Sequence, residues 1–143
     1  PLIVNDRIDV AMAARADGVH LGQDDMPPAI ARRLVGEEML IGLSVSDRVE
    51  ADLATPETVD YVGIGSVFPT GTKRDAGAAI GPAFAGELRQ LVDLPSVAIG
   101  GINASNAAQL HGSGIEGLAV VSAICAAEDP AAAARELRQA YFG

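Results

Sequence analysis

Six short apolar runs, each followed by a segment with helical spacing, constrain the fold of this 143-residue chain more than any other feature. The apolar runs are residues 1–4, 18–22, 39–44, 59–68, 95–101 and 117–123. The helical segments are residues 7–16, 27–35, 47–55, 82–92, 103–113 and 129–142. Most of the runs are continuously apolar rather than alternating, which is typical of parallel strands buried on both faces.

Regular alternation of strand and helix predicts a parallel α/β sheet with right-handed crossovers. Two architectures fit this order, an open doubly wound sheet and a (β/α)8 barrel. A barrel usually needs eight strands and at least about 200 residues. The chain has about six βα units and begins at Pro1 directly on an apolar run. We therefore expect either an open sheet or a barrel with two N-terminal units absent, in one domain spanning residues 1–143.

Composition narrows the possible partners and the possible core. Aromatic residues make up only 3% of the chain, so Val, Ile, Leu and Ala must form the core. A net charge of −9 argues against nucleic-acid binding, because no basic stripe is present to meet a phosphate backbone. No run reaches the roughly 18 apolar residues that a membrane span needs, so we expect a cytoplasmic protein. The single cysteine, Cys125, has apolar neighbours and is predicted to be buried.

Binding residues of parallel α/β folds lie just past the carboxyl ends of the strands. Asp6 and Asp25 follow the first two predicted strands, which are neighbours, and Asp24 competes with Asp25. Two carboxylates without Cys or His nearby suit a hard cation such as Mg²⁺. The alternative is that each Asp only caps the helix that follows. His20 within the second run is more plausibly a packed histidine than a catalytic one, and His111 is expected at the surface.

Two further strand ends have the composition of anion sites. The fourth run continues into "PTGTKRD" (69–75), which offers hydroxyl donors and the compact charge of Lys73. Gly100 and Gly101 follow the fifth run, and Ser122 lies at the end of the sixth. Backbone N–H groups at such turns hold phosphates in many barrels.

With these residues assembled, the chain resembles the thiamine phosphate synthase family. "LIVNDRIDVAMAARADGVHLGQDD", "DYVGIGSVFPTGTKRD", "VAIGGIN" and "VVSAICAAEDP" are similar to that family's segments in order and spacing. The resemblance implies a (β/α)8 barrel of which this chain has strands three to eight. It also implies that hydroxymethylpyrimidine diphosphate and thiazole phosphate are the small-molecule substrates. The implied products are thiamine phosphate and pyrophosphate, with Mg²⁺ required.

The resemblance also implies roles for individual residues. Asp6 and Asp25 would bind Mg²⁺, and Asn5 would lie beside the diphosphate. Ser44 and Lys73 would be the catalytic groups, with Ser44 against the pyrimidine or the pyrophosphate. The substrate-binding set would be Asn5, Ser44, Thr70, Thr72, Lys73, Gly101, Val121 and Ser122. A homo-oligomer is possible.

The chain departs from the family pattern in two places. The first two βα units are absent, and they normally supply a basic, glutamine-containing segment that clamps the diphosphate. "GLSVSD" (42–47) lacks the histidine that usually follows the serine. Other functions therefore stay open: a thiazole tautomerase-like relative, another phosphate-binding barrel such as a sugar-phosphate isomerase, or a non-catalytic phosphate-binding fragment. The tautomerase does not need the pair Asp6 and Asp25, and an isomerase needs an acid–base pair that we do not find.

Overall fold

The computed structural model describes residues 1–72 and 77–143. Its strands are β1 (Ile3–Asn5), β2 (Gly18–Leu21), β3 (Leu40–Val45), β4 (Tyr61–Ile64), β5 (Ser96–Ile99) and β6 (Gly117–Ala119). Its α-helices are α1 (Ile8–Ala14), α2 (Pro28–Val35), α3 (Arg48–Leu53), α4 (Pro82–Leu91), α5 (Ser122–Cys125) and α6 (Pro130–Phe142), with a 3-10 turn at Ala107–Leu110. No helix among these residues has the length and apolar character to cross a membrane.

The six strands form one parallel sheet in the order β1-β2-β3-β4-β5-β6. Sequential order with a helical crossover after every strand is the arrangement of a barrel wall, whereas a doubly wound sheet reverses its strand order. The curled six-stranded half-barrel confirms the barrel prediction. All six carboxyl ends therefore meet at one edge, which we call the carboxyl rim.

The two faces of the sheet differ in burial. Val19, Leu43 and Val62 point towards the helices and are at most 1% exposed. The opposite face carries His20 and Tyr61, which are only partly buried. It also carries Ile99 and Leu40, which are exposed. The prediction that the strands are buried on both faces is therefore wrong for the described residues, because helices cover only one face.

Three elements differ from the sequence-based predictions by more than two residues at one end or both. The strand predicted at 117–123 ends at Ala119, and Ser122 begins the one-turn helix α5. The helix predicted at 103–113 is a 3-10 turn at Ala107–Leu110. The run predicted to 68 ends as a strand at Ile64. Continuous apolar character does not separate a strand from a buried turn, which explains the first and third differences.

Cys125 is exposed, so its predicted burial is wrong. Ala123 and Ile124 are half-buried, whereas Cys125 lies three residues after the exposed Ser122 and so on the same face of α5. His111 is exposed, as predicted, and its Nε2 lies 2.9 Å from the carbonyl oxygen of Ala140.

An arginine in α2 ties its helix to the amino ends of two strands. Arg32 donates from Nη1 to the carbonyls of Gly36 and Met39, at 2.8 Å each. Its Nη2 donates to Asp60 Oδ2 at 2.5 Å. The same carboxylate oxygen accepts the backbone N–H of Ile41 at 2.7 Å. This contact set links the end of α2 to the starts of β3 and β4.

The same contact set recurs two βα units later. Arg89 in α4 donates from Nη1 to the carbonyl of Val92 at 3.0 Å and from Nη2 to Glu116 Oε1 at 2.5 Å. Glu116 Oε2 accepts the backbone N–H of Ser96 at 2.9 Å. Gly36 and Val92 are the C-cap residues of their helices. We call each set an arginine staple: a helix arginine, the carbonyl of that helix's C-cap, an acid and a strand N–H.

Candidate active site at the carboxyl rim

The two predicted metal ligands, Asp6 and Asp25, lie at one corner of the carboxyl rim. Asp6 follows β1, and its backbone N–H donates to the carbonyl of His20 at 2.8 Å, which places it beside the end of β2. Its φ of 61° is in the left-handed region, a strained conformation that is found at functional sites more often than elsewhere. Asn5, at the end of β1, is exposed at the same corner. A tight turn that opens on Gly22 carries Asp25 after β2.

Asp25 caps this turn with one carboxylate oxygen. Its Oδ2 accepts the backbone N–H of Gly22 at 2.7 Å, within the turn. The other oxygen, Oδ1, makes no hydrogen bond to residues 1–72 or 77–143 and can bind a ligand. The alternative that Asp6 and Asp25 only cap the following helices is wrong, because the N-cap residues of α1 and α2 are Arg7 and Pro27 and neither helix has a side-chain cap.

The predicted ligands Asp6 and Asp25 are of a residue type that suits Mg²⁺. The described residues contain no group of three or more His, Cys, Asp or Glu side chains placed to hold a metal ion. Mg²⁺, however, is usually held by one or two carboxylates, with the remaining positions taken by waters and phosphate oxygens. Asp6 and Asp25 supply that number of hard oxygen donors, so a shared site with a diphosphate is chemically consistent.

A hydrogen-bonded chain of three side chains crosses the half-barrel interior below the rim. His20 Nδ1 lies 3.0 Å from the Tyr61 hydroxyl, and His20 Nε2 lies 3.1 Å from Ser44 Oγ. Burial raises the pKa of Tyr61, so its phenol stays neutral and can donate. His20 is satisfied by hydrogen bonds, as predicted for a packed histidine, but its position next to Ser44 places it at the site. Gln23 Nε2 donates to the carbonyl of Ser44 at 2.6 Å.

Tyr61 was missed by the sequence reasoning, and the interior glycines were the signal that could have found it. A Cβ on Gly42 would lie 2.2 Å from Tyr61 Cζ and 2.4 Å from His20 Nδ1. A Cβ on Gly63 would lie 3.1 Å from His20 Cε1. A glycine inside a strand often marks a close approach by another group. Here two of them leave room for a histidine and a tyrosine.

The loop after β4 carries the predicted pyrophosphate-binding residues. Thr70 is half-buried, and its Oγ1 accepts the backbone N–H of Thr72 at 3.2 Å, which shapes the turn around Gly71. Lys73 lies outside the described residues, as do Arg74 and Asp75. The structure therefore locates the start of this loop at the rim and leaves the role of Lys73 a prediction.

The loops after β4 and β5 continue to pair beyond the strands. The backbone N–H of Val67 donates to the carbonyl of Ile99 at 2.9 Å, and that of Phe68 to the carbonyl of Gly100 at 3.0 Å. Gly101 has a φ of 62°, and a Cβ there would lie 2.4 Å from the Pro69 carbonyl oxygen. The two predicted anion loops are thus packed backbone to backbone, and glycine is required at the contact.

The Gly101 turn is braced by a residue that the sequence reasoning missed. Asn106 donates from Nδ2 to the carbonyl of Gly101 at 2.9 Å and accepts the backbone N–H of Asn103 on Oδ1 at 2.8 Å. β5 pairs with β6 up to Ile99 and Ala119. Val121 and Ser122 therefore follow β6 at the level of Gly101, and Ser122 begins α5 with its backbone N–H unpaired within the helix.

The sequential parallel sheet and the polar carboxyl rim define a protein of the (β/α)8-barrel type. The family model described as thiamine monophosphate synthase matches residues 1–124. This match covers most of the chain, which therefore belongs to the thiamine monophosphate synthase family.

Individual relatives agree with this assignment. A thiamine-phosphate synthase of Chloroflexus aurantiacus is 56% identical over 138 residues, and one of Methanospirillum hungatei is 51% identical over 134 residues. These alignments cover 96% and 94% of this chain but only 63% and 65% of the two relatives. The structure of a thiamine phosphate pyrophosphorylase from Pyrococcus furiosus superposes with a TM-score of 0.87 at 44% identity. That superposition covers 98% of this chain and 66% of the Pyrococcus chain.

Proposed function

We propose that this chain carries most of the active site of a thiamine phosphate synthase, a transferase that acts on two phosphorylated small molecules. The proposal rests on one observation. Asp6 and Asp25, and the two loops after β4 and β5 whose composition suits an anion, lie along the same carboxyl rim. The names of relatives at 56% and 51% identity support it. The substrates would be hydroxymethylpyrimidine diphosphate and thiazole phosphate.

The proposed reaction exchanges one bond for another at the pyrimidine methylene carbon. The C–O bond to the diphosphate breaks, and its electron pair leaves with pyrophosphate. The lone pair of the thiazole nitrogen forms the new C–N bond and gives the thiazolium of thiamine phosphate. An electron-rich pyrimidine stabilises positive charge at the reacting carbon, so a dissociative, carbocation-like displacement is reasonable. Such a step needs charge neutralisation and positioning more than a general base.

The leaving group would be held between β1, β2 and the loop after β4. Mg²⁺ bound at this corner would neutralise charge on the pyrophosphate oxygens. Asp6 and Asp25 would be its protein ligands, and Thr70 and Thr72 would donate hydroxyl hydrogen bonds to the same anion. Lys73 is proposed to add a compact positive charge there.

The incoming thiazole phosphate would be held at the other end of the rim. Backbone N–H groups of Gly101, Val121 and Ser122 are proposed as its phosphate donors, and the N-terminus of α5 would point at the anion. The hydrogen bonds from Tyr61 to His20 and from His20 to Ser44 would hold the Ser44 hydroxyl in one orientation against the pyrimidine or its diphosphate. With these assignments, the nitrogen nucleophile would approach the reacting carbon from one side and the leaving group would depart from the other.

Turnover of Asp25 variants tests the proposal. In the full-length parent protein, Asp25→Asn keeps an oxygen that can accept the Gly22 N–H, so the turn should stay folded. Loss of the negative charge should weaken Mg²⁺ binding and lower turnover by about 100-fold or more, the scale of losing one electrostatic group in a site. Pyrophosphate release with both substrates, measured across a range of Mg²⁺ concentrations, gives the readout.

The neighbouring Asp24→Asn is the matched control, because it removes the same charge one residue away. We expect it to retain turnover within a few-fold of the parent. Normal turnover for Asp25→Asn, or equal losses in both variants, would contradict the metal assignment. Binding of thiazole phosphate without any pyrophosphate release in the full-length protein would favour a non-catalytic binder instead.

A further inference from the structure

The acid of each arginine staple occupies an equivalent position in the sheet. Asp60 directly precedes β4 and Glu116 directly precedes β6. Each acid exchanges two hydrogen bonds with one residue on the preceding strand. Its own N–H donates to that residue's carbonyl, at 2.8 Å for Asp60 to Ile41 and 3.1 Å for Glu116 to Ser96. Its carboxylate accepts that residue's N–H in return.

A third acid makes both of these bonds at the start of β2. The backbone N–H of Asp17 donates to the carbonyl of Leu2 at 2.9 Å, and Asp17 Oδ2 accepts the N–H of Leu2 at 2.5 Å. Asp17 directly precedes β2, as the other two acids directly precede β4 and β6. The pattern therefore repeats every two βα units, at Leu2–Asp17, Ile41–Asp60 and Ser96–Glu116.

The first repeat lacks its arginine within residues 1–72 and 77–143. Among these residues no Lys or Arg makes an ion pair with Asp17, whereas Arg32 pairs with Asp60 and Arg89 with Glu116. In both complete staples the arginine belongs to the helix that runs directly into the donor strand. The equivalent helix for the first repeat would run into β1 and so precede Pro1.

We propose that Asp17 is the docking point for a helix of the polypeptide upstream of Pro1, through an arginine near that helix's C-terminus. Arg32 precedes Ile41 by nine residues and Arg89 precedes Ser96 by seven. The arginine therefore lies seven to nine residues before Leu2. Its guanidinium bonds Asp17 and the carbonyl of its own helix's C-cap, as the other two do.

Charge and exposed apolar surface both fit this occupant. The Asp17 carboxylate is exposed and uses only Oδ2 for the Leu2 N–H, so Oδ1 can take a guanidinium. Leu2 is 56% exposed on the same strand start, and a packed helix would cover it. This chain spans 63% and 65% of the length of the two relatives described above, so each has residues beyond those that it shares with this chain.

The residues encoded upstream of Pro1 give the first test. We expect an arginine seven to nine positions before Leu2, and its absence overturns the proposal. In the chain extended by those residues, that arginine is changed to Met and Asp17 to Asn, singly and together. We expect the effects on the unfolding equilibrium constant to depart from additivity by about threefold or more. Additive effects would overturn the proposal.

Arg32→Met and Asp60→Asn form the matched control cycle in the same extended chain. Non-additive effects of these two substitutions on the unfolding equilibrium constant would show that the assay detects an arginine staple. A second readout covers variants that fold poorly: guanidinium protons of a stapled arginine exchange slowly with solvent and give persistent NMR signals. Asp17→Asn should remove the signals of the upstream arginine and keep those of Arg32 and Arg89. Persistence of all three sets would also overturn the proposal.

Discussion

At the scale of single residues, glycines decide how close the parts of the candidate site can come. Gly42 and Gly63 make room for His20 and Tyr61 in the interior. Gly101 lets the loop after β5 lie against the backbone of the loop after β4. Removing a glycine therefore tests packing and backbone strain at once, and a second glycine is needed to separate the two effects.

We predict that Gly101→Ala destabilises the chain more than Gly112→Ala does. Both residues have positive φ, 62° and 76°, so both variants carry left-handed strain of about 1–2 kcal/mol. Only at Gly101 would the new Cβ also collide, at 2.4 Å from the Pro69 carbonyl oxygen. Urea unfolding of both variants measures the difference, and equal losses of stability would show that the loops can part without cost.

The sequence predicted the rim positions of the candidate site but not its interior contacts. Asn5, Asp6 and Thr70 were identified because they directly follow apolar runs, and strand ends are where parallel sheets place polar groups. Tyr61 was missed because it lies within the apolar run 59–68 and was therefore taken for a core residue. Its bond to His20 spans 41 residues, and such a pairing depends on register that no local pattern encodes.

At the scale of elements, local periodicity predicted the order of strands and helices but not the boundary between β6 and α5. The run from Gly117 to Ala123 is uniformly apolar, so nothing in it marks the change from β6 to the single turn of α5. The arginine staples were also invisible in sequence, because each joins a helix to an acid more than 25 residues away. Their contribution to stability can nevertheless be tested through pH.

Glu116 should stabilise the fold at neutral pH and lose that effect in acid. Burial tends to raise its pKa, but hydrogen bonds from Ser96 and Arg89 outweigh burial, and the net pKa is lowered. A carboxyl with a lowered folded-state pKa stabilises the folded chain above its unfolded value of about 4.3. That stabilisation disappears as the pH falls through the lower folded-state value.

Thermal unfolding of Glu116→Gln at pH 7 and at pH 3 tests this expectation. The variant should melt several degrees below the parent at pH 7 and much closer to it at pH 3. Glu136→Gln on α6 is the control, since Glu136 is exposed and belongs to no staple. If the difference in melting temperature between Glu116→Gln and the parent is the same at both pH values, the carboxylate charge contributes nothing to stability.

At the scale of the whole molecule, the open sheet has four inner and two outer strands. β2, β3, β4 and β5 each pair on two sides, whereas β1 and β6 each pair on one side among the described residues. The alternation of strands and helices predicted a parallel sheet, and only the family resemblance favoured the sequential order of a barrel over a doubly wound order. The sequence could not predict which sheet face would be covered, because burial depends on every neighbouring element.

Hydrogen exchange should therefore be graded across the sheet. We expect the slowest backbone amides in β3 and β4, which lie in the middle, and the fastest strand amides in β1 and β6, where opening breaks only one ladder. Amide exchange followed by NMR on residues 1–143 provides the measurement. Protection of Val4 and Leu118 equal to that of Leu43 and Val62 would show that the half-barrel opens only as one unit.

The pairing of the loops after β4 and β5 also limits how the gene can change. Val67 is bonded to Ile99 and Phe68 to Gly100, so one residue inserted on either side would shift the register of both loops. Insertions and deletions should therefore be tolerated only between Thr70 and Ile80, whose backbone N–H bonds the Ser66 carbonyl, or beyond Asn106. The two loops can change in sequence independently, but before these points they can change in length only together.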